Sequence, residues 1–261
     1  MDRELGKERT GGESGQQRIA TDVISPLAWP VSRIPGTIAP DEVHLWAWAF
    51  PSATADPAAP IEVLDDQERA RMQRFHFAPD RERYAVAHTN LRRILGEYLN
   101  ESPERICFRA NRFGKPELAR EASVNFSLSH CRSIAVLAVA NGQPVGVDVE
   151  DVKPVEPEVA GTHFSAIELS NLNRLHGDAW LSGFYRCWTR KEAILKAEGV
   201  GLSRALDSFD VELLQDKLPQ LLGTRESFSH PWTLHDLLPS SSTIGALATA
   251  QAQSRLACFS F

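Results

Sequence analysis

Two carboxylates stand two residues apart in the segment Val145–Glu150, which reads V-G-V-D-V-E. In an extended strand alternate side chains share a face, so the three valines point to one side and Asp148 and Glu150 to the other. Neighbouring carboxylates repel each other and resist ionisation unless a positive charge lies between them. A hard divalent cation would supply that charge. The same alternation also fits the solvent-facing side of an amphipathic strand, and both interpretations stay open here.

A second group of charged side chains lies further along the chain, in W-T-R-K-E-A-I-L-K. At helical spacing Lys191 falls within an apolar stripe, so its ammonium must reach the surface or a buried anion. Glu192 and Lys196 lie one turn apart on the flank of that stripe, where an ordinary surface ion pair would also lie. An ordinary surface ion pair between Glu192 and Lys196 would not explain the position of Lys191 within the apolar stripe.

The flanking patterns predict the elements that hold these side chains. Aromatic and β-branched residues indicate a buried strand at Val43–Phe50. Asp65 and Asp66, which suit the positive end of a helix, indicate a helix over residues 64–77. Apolar residues at helical spacing predict two more, over residues 80–99 and 179–198. His88 lies on the apolar stripe of the second helix, where a packed core histidine is commoner than a ligand.

A turn at Asn141–Pro144 separates two β-rich runs and predicts a hairpin. In that hairpin Glu150 would lie opposite residues 133–135, close to Ser129 and His130. A hydroxyl and an imidazole beside two carboxylates could hold a diphosphate between hydrogen-bond donors and a metal.

Composition limits the class of protein. The chain of 261 residues is 43% hydrophobic and 24% charged, as is typical of soluble proteins. It has no apolar run long enough to cross a bilayer and no signal-peptide core, so we expect a cytoplasmic protein without a membrane partner. Four scattered cysteines without a CxxC pair argue against structural zinc and disulfides. A net charge of −6 argues against nucleic-acid binding, although seven arginines cluster in residues 69–93.

The order of the predicted elements favours an α+β fold. Residues 1–38 are polar and Gly-rich, and we expect a disordered tail there. The remainder mixes strands and helices in two blocks without regular alternation. We place an N-terminal subdomain at residues 39–144 and a C-terminal subdomain at residues 145–261, and no repeat is visible between them at the residue level.

Five segments, in order, resemble those of the Sfp-type 4′-phosphopantetheinyl transferases. They are F-G-K-P-E-L, N-F-S-L-S-H, V-G-V-D-V-E, W-T-R-K-E-A-I-L-K and G-V-G-L-S-R-A-L-D-S-F-D-V. The fourth is similar to the W/KEA-like subgroup, and the resemblance runs from about Val43 to the end of the chain. It implies a pseudo-two-fold pair of similar α/β subdomains with the active site at their interface.

The resemblance also implies an activity. Such an enzyme moves phosphopantetheine from coenzyme A to a serine of an acyl or peptidyl carrier protein, which converts the apo to the holo form. The implied cofactor is Mg²⁺, bound by Asp148, Glu150 and Glu192. Glu192 would also act as general base, and Lys196 would neutralise phosphate oxygens. We expect a monomer.

The residues that the resemblance implies for coenzyme A are largely basic. They are Arg71, Arg74, Arg83, Lys115, Ser129, His130 and Lys191. Arginine suits phosphate because its planar fork of donors matches phosphate oxygens. Arg69 is an alternative to either of the first two.

Two other functions compete with this one. A metal-dependent hydrolase of the diphosphate of coenzyme A or a nucleotide would use the same carboxylates but would need no carrier protein. A non-catalytic homologue that binds coenzyme A is the other alternative. The argument against it is that all five charged candidate residues are present: Asp148, Glu150, Lys191, Glu192 and Lys196.

Overall fold

The computed structural model describes residues 23–24, 29, 34–50, 61–251 and 253–261. Its strands are β1 Val23–Ile24, β2 Glu42–Ala49, β3 Phe108–Ala110, β4 Pro116–Leu118, β5 Val124–His130, β6 Ile134–Asn141, β7 Val145–Asp151, β8 Phe209–Val211, β9 Leu221–Thr224, β10 Thr233–Leu237, β11 Thr243–Thr249 and β12 Arg255–Ser260. The helices are α1 Asp66–Gln73, α2 Ala78–Leu99, α3 Pro157–His163, α4 Ala166–Leu172 and α5 Gly177–Glu198.

Local sequence explains where the predicted helices begin and end. Helix α1 begins after Asp65, whose side chain accepts a hydrogen bond from the Glu68 amide, while the side chain of Glu68 accepts one from the Asp65 amide. It is shorter than predicted. Helix α5 ends at Gly199, which takes a left-handed conformation with φ 71° that glycine adopts without strain. The three helices predicted from the sequence are confirmed as α1, α2 and α5.

The two halves of the chain repeat one topology. One four-stranded sheet has the order β12–β2–β6–β5, and the other has the order β1–β10–β11–β7. In each sheet the first pair is parallel and the other two are antiparallel. Each half begins with a strand, β2 or β7, and continues with a 22-residue helix, α2 or α5. A short two-stranded ribbon follows (β3–β4 or β8–β9), and then an antiparallel pair of strands (β5–β6 or β10–β11). This confirms the α+β fold, with two similar halves that the sequence did not reveal as a repeat.

The elements pack in four layers. Buried side chains of β2 and β6 meet those of β7 between the sheets, with Val43, Val136 and Val147 fully buried there. Each such valine stabilises the fold by about 1.5–3 kcal/mol. Helix α2 covers the outer face of one sheet, and α5 covers the outer face of the other. The valines of β7 therefore face the core, and its Asp148 faces α5.

Some residues of the expected tail have defined contacts. Most of the expected tail, residues 1–38, lies outside the described residues. Of those that are described, Val23–Ile24 pairs in parallel with β10. Trp29 is buried, and its carbonyl oxygen accepts a hydrogen bond from the Ser260 hydroxyl at 2.9 Å.

The predicted hairpin is wrong. β6 pairs with β2 and β5, whereas β7 pairs with β11 in the other sheet. The turn Asn141–Pro144 therefore carries the chain from one sheet to the other. The division at residues 144 and 145 stays a prediction, because β1 and β12 each join the sheet of the opposite half.

Gly146→Ala should destabilise the protein, because Gly146 lets β7 lie directly against α5. An added Cβ would collide with the Ala193 carbonyl oxygen and the Ala197 backbone nitrogen, and it would lie 2.9 Å from the Ala197 Cα. We expect a loss of about 1–3 kcal/mol or more in the free energy of unfolding, measured with urea. Gly161→Ala, in open space on α3, is the matched control and should be neutral or slightly stabilising.

No helix among the described residues is both long and apolar enough to cross a membrane.

Candidate active site

The centre of the candidate site is the carboxylate of Asp148, which is only 4% exposed. Its Oδ1 accepts from the Ser129 hydroxyl at 3.0 Å and pairs with the Lys196 ammonium at 2.7 Å. Its Oδ2 is buried and has no hydrogen-bond partner. The interpretation of this strand face as solvent-exposed is therefore wrong, and Lys196 reaches the strand instead of forming an ordinary surface pair.

Two serine hydroxyls connect the sheets beside Asp148. The Val149 amide donates to the Ser129 hydroxyl at 3.3 Å, and the Val147 amide donates to the Ser127 hydroxyl at 3.1 Å. Lys196 also donates to the Ser129 hydroxyl, at 3.0 Å. β5 and β7 thus meet edge to edge through side chains, which brings Ser129 to Asp148 as predicted but without the predicted hairpin. Ser127 was not predicted, although the alternation S-x-S places it on the same strand face as Ser129.

Glu150 and Glu192 complete a group of three carboxylates. Burial, followed by the negative charge of Asp148, raises the pKa of Glu150 to about 7. The same two causes, in the same order, raise the pKa of Glu192. The positive charge of Lys196 opposes both shifts. Asp148 is therefore close enough to repel both glutamates across the junction of β7 and α5.

This group has the chemistry of a divalent-cation site. Among the described residues, no three His, Cys, Asp or Glu side chains already converge as a set of metal ligands. The unpartnered Oδ2 of Asp148 and the raised pKa values are nevertheless what a cation would relieve. Oxygen donors of this kind suit Mg²⁺. The residues fit the predicted metal, although no ligand set is assembled.

A cleft of about 840 Å³ lies in the N-terminal half, between α1, α2 and the β3–β4 ribbon. Arg71 and Arg74 line it, as the prediction of a phosphate-binding role requires. Tyr84 and His88 line it as well, stacked with their ring centroids 4.0 Å apart, and the Arg71 guanidinium lies 5.9 Å from the Tyr84 ring. His88 also bonds Glu68 at 2.9 Å, so it is both packed and part of the cleft wall.

His130 is within electrostatic reach of His88 in the cleft wall, of Arg83 and of Lys196 beside Asp148. Partial burial lowers the pKa of His130, and the positive charges of His88, Lys196 and Arg83 lower it further. Arg83 itself pairs with Asp80 one turn earlier on α2. Basic side chains therefore lie both in the cleft and beside Asp148, as a substrate with several phosphates requires.

The structure contradicts the expectation that Lys191 holds phosphate. Its ammonium is fully buried, 2.8 Å from a carboxylate oxygen of Glu168, and it donates to the carbonyl oxygens of Leu206 and Phe209. Successive helical residues point about 100° apart, so Lys191 faces α4 and β8 while Glu192 faces β7. The buried anion that the sequence required for Lys191 is Glu168.

Lys115 lies where the two halves meet, with its ammonium 3.4 Å from the carbonyl oxygens of Val145 and Ala197. Burial lowers its pKa to about 8, and Glu117 partly opposes that shift. The charged form therefore destabilises the folded state, in full below pH 8 and progressively less as pH rises towards 10.5.

Lys115→Met should remove this cost. The variant should unfold at a higher temperature than the wild type, and the difference should be largest at pH 7. It should narrow by pH 10, because Lys115 in the folded wild type is then largely uncharged. Thermal unfolding at the two pH values measures the effect. A difference that does not change with pH would contradict it.

Comparison with known proteins identifies the family. Residues 48–142 match the model of the 4′-phosphopantetheinyl transferase N-terminal region, and residues 144–252 match that of the 4′-phosphopantetheinyl transferase superfamily. The chain belongs to this superfamily of transferases.

Several curated relatives share much of the chain. The 4′-phosphopantetheinyl transferase HetI of Nostoc sp. is 32% identical over 219 residues, which cover 82% of this chain and 90% of that protein. Sfp of Bacillus subtilis is 32% identical over 156 residues, which cover 60% of this chain and 69% of Sfp. The human L-aminoadipate-semialdehyde dehydrogenase-phosphopantetheinyl transferase is 29% identical over 185 residues, 64% of this chain and 60% of that protein.

Proposed function

We propose that this protein transfers the 4′-phosphopantetheine group of coenzyme A to a serine hydroxyl of an acyl or peptidyl carrier protein. One observation carries the proposal: the buried, unpartnered Oδ2 of Asp148 lies at the junction of the halves, with Glu150, Glu192 and Lys196 around it. Membership of the transferase superfamily supports the same reaction.

We propose Mg²⁺ as the metal, with Asp148, Glu150 and Glu192 as its protein ligands. When bound there, the metal would neutralise negative charge on the diphosphate of coenzyme A. Their oxygen-only chemistry, and the repulsion of both glutamates by Asp148, support this choice over a softer metal.

Glu192 acts as the general base. Burial and the negative charge of Asp148 raise the pKa of Glu192, which makes its carboxylate a stronger base. It takes the proton of the carrier serine, whose oxygen forms a bond to the phosphorus attached to pantetheine. The bond from that phosphorus to the bridging oxygen breaks, and adenosine 3′,5′-bisphosphate leaves with the electron pair. Lys196, with a partly exposed ammonium, stabilises the charge on the phosphate oxygens.

Coenzyme A binds across both halves. Arg71 and Arg74 in the cleft suit its 3′-phosphate, and Arg83, Ser129 and His130 contribute as well. Lys115 contributes from the loop before β4, at the contact between the halves.

We further propose that the protein acts as a cytoplasmic monomer without a nucleic-acid partner. All four cysteines are free, which fits a reducing compartment, and the net charge is −6. Light scattering after size exclusion would measure the mass.

Intact mass spectrometry tests the transfer directly. An apo carrier protein incubated with this protein, coenzyme A and Mg²⁺ should gain about 340 Da, the mass of a phosphopantetheine group. EDTA should abolish the gain. Carriers from fatty-acid, polyketide and nonribosomal-peptide synthesis should all be tried. Breakdown of coenzyme A without any carrier, and no gain on the carriers, would instead indicate a hydrolase.

A further inference from the structure

The two oxygens of the Asp148 carboxylate have different surroundings. Oδ1 accepts from the Ser129 hydroxyl and the Lys196 ammonium, at 3.0 and 2.7 Å. Oδ2 is buried and accepts no hydrogen bond. A lysine ammonium is a compact point charge on a flexible stem, so it satisfies one oxygen and leaves the other free.

The charge of Lys196 acts on all three carboxylates. It pairs directly with Asp148, and its positive charge lowers the pKa of both Glu150 and Glu192 against the opposing effect of burial. The ammonium thus provides the group with part of the charge compensation that a divalent cation would provide. A cation bound to these oxygens would lie within a few ångströms of the ammonium, and the two like charges would repel.

We infer that Lys196 opposes divalent-cation binding to Asp148, Glu150 and Glu192 until the diphosphate of coenzyme A draws its ammonium away from Asp148. The inference rests on the proposed function, because it takes coenzyme A as the ligand that supplies the diphosphate. It makes metal binding and coenzyme A binding interdependent, and by linkage each strengthens the other by the same factor.

The position of Lys196 allows this movement. Its side chain is 31% exposed, whereas that of Asp148 is 6% exposed, so the lysine can turn towards a ligand while the aspartate stays fixed. The Ser129 hydroxyl keeps its bonds to Asp148 and to the Val149 amide when the lysine leaves. Oδ2 of Asp148 has no hydrogen bond to give up before it accepts a metal.

Binding of Mn²⁺, a spectroscopically visible hard divalent cation, tests the inference without turnover. Electron paramagnetic resonance or calorimetry at pH 8.5 would give Mn²⁺ affinity without and with coenzyme A, for the wild type, Lys196→Met and Lys196→Arg. Without coenzyme A, Lys196→Met should bind Mn²⁺ at least about tenfold more tightly than the wild type. Coenzyme A should strengthen Mn²⁺ binding much less in this variant than in the wild type.

Two controls separate charge from packing. Lys196→Arg keeps the positive charge and should bind Mn²⁺ as weakly as the wild type. Lys217→Met removes an exposed lysine from the loop between β8 and β9, and it should leave Mn²⁺ affinity unchanged. Thermal unfolding confirms that each variant is folded.

The results distinguish the inference from the proposed function. The inference is overturned if Lys196→Met binds Mn²⁺ no more tightly than the wild type does. It is also overturned if Lys196→Arg binds Mn²⁺ as tightly as Lys196→Met does. No Mn²⁺ binding to the wild type even with coenzyme A overturns it too. Carrier modification by the wild type, measured by mass, reports on the proposed function alone.

Discussion

Asp148→Asn should lower kcat/KM for carrier modification about a thousandfold or more, because it removes the charge at the centre of the carboxylate group. The amide oxygen of asparagine can still accept from the Ser129 hydroxyl, so we expect a folded protein. Mass-detected carrier modification at several Mg²⁺ concentrations measures the loss, and thermal unfolding checks the fold.

Asp151→Asn is the matched control for that variant. Asp151 lies on the same strand, but its oxygens accept from the Arg132 amide and the Ser133 hydroxyl, each at 2.9 Å. Asp151→Asn should change kcat/KM for carrier modification far less than Asp148→Asn does. Normal turnover by Asp148→Asn, with the usual dependence on Mg²⁺, would remove Asp148 from the proposed metal ligands.

Lys191→Ala should destabilise the protein by about 3–5 kcal/mol, because it leaves the Glu168 carboxylate buried without its positive partner. It also removes donors from the carbonyl oxygens of Leu206 and Phe209. Urea unfolding followed by circular dichroism measures the loss.

Two comparison variants show whether the buried pair is the cause. Lys196→Ala removes a partly exposed charge from the same helix and should cost less stability, because the carboxylate of Asp148 keeps its hydrogen bond from the Ser129 hydroxyl. Lys191→Met combined with Glu168→Gln removes both charges and should recover part of the loss. A stable Lys191→Ala protein with weakened coenzyme A binding would return Lys191 to the phosphate-binding residues.

Much of the site could be predicted because it depends on local periodicity. Alternation along β7 places the valines in the core and Asp148 and Glu150 on the opposite face, whichever strand lies alongside. Likewise, helical spacing and the glycine after α5 place Glu192 and Lys196 one turn apart near the end of one helix. The motifs then indicated the family, which the comparisons confirm.

Strand pairing could not be read from the same patterns. The Asn-Gly turn suggested that β6 and β7 pair, but β7 pairs with β11, a strand from near the end of the chain. A backbone edge offers the same donors and acceptors to any partner, so packing of distant segments selects the partner. The serine bridges from β5 to β7 exist only because of that choice.

Which side chains share a strand face or a helix turn thus follows from the order of the residues, since those relations depend on backbone geometry alone. Which lysine pairs with which carboxylate depends on the folded arrangement of distant elements. Lys191 and Lys196 are both lysines of α5, yet one pairs with buried Glu168 and the other with Asp148. The reason is physical: an ion pair depends on the position of both partners, and the partners of these lysines come from elements placed by long-range packing.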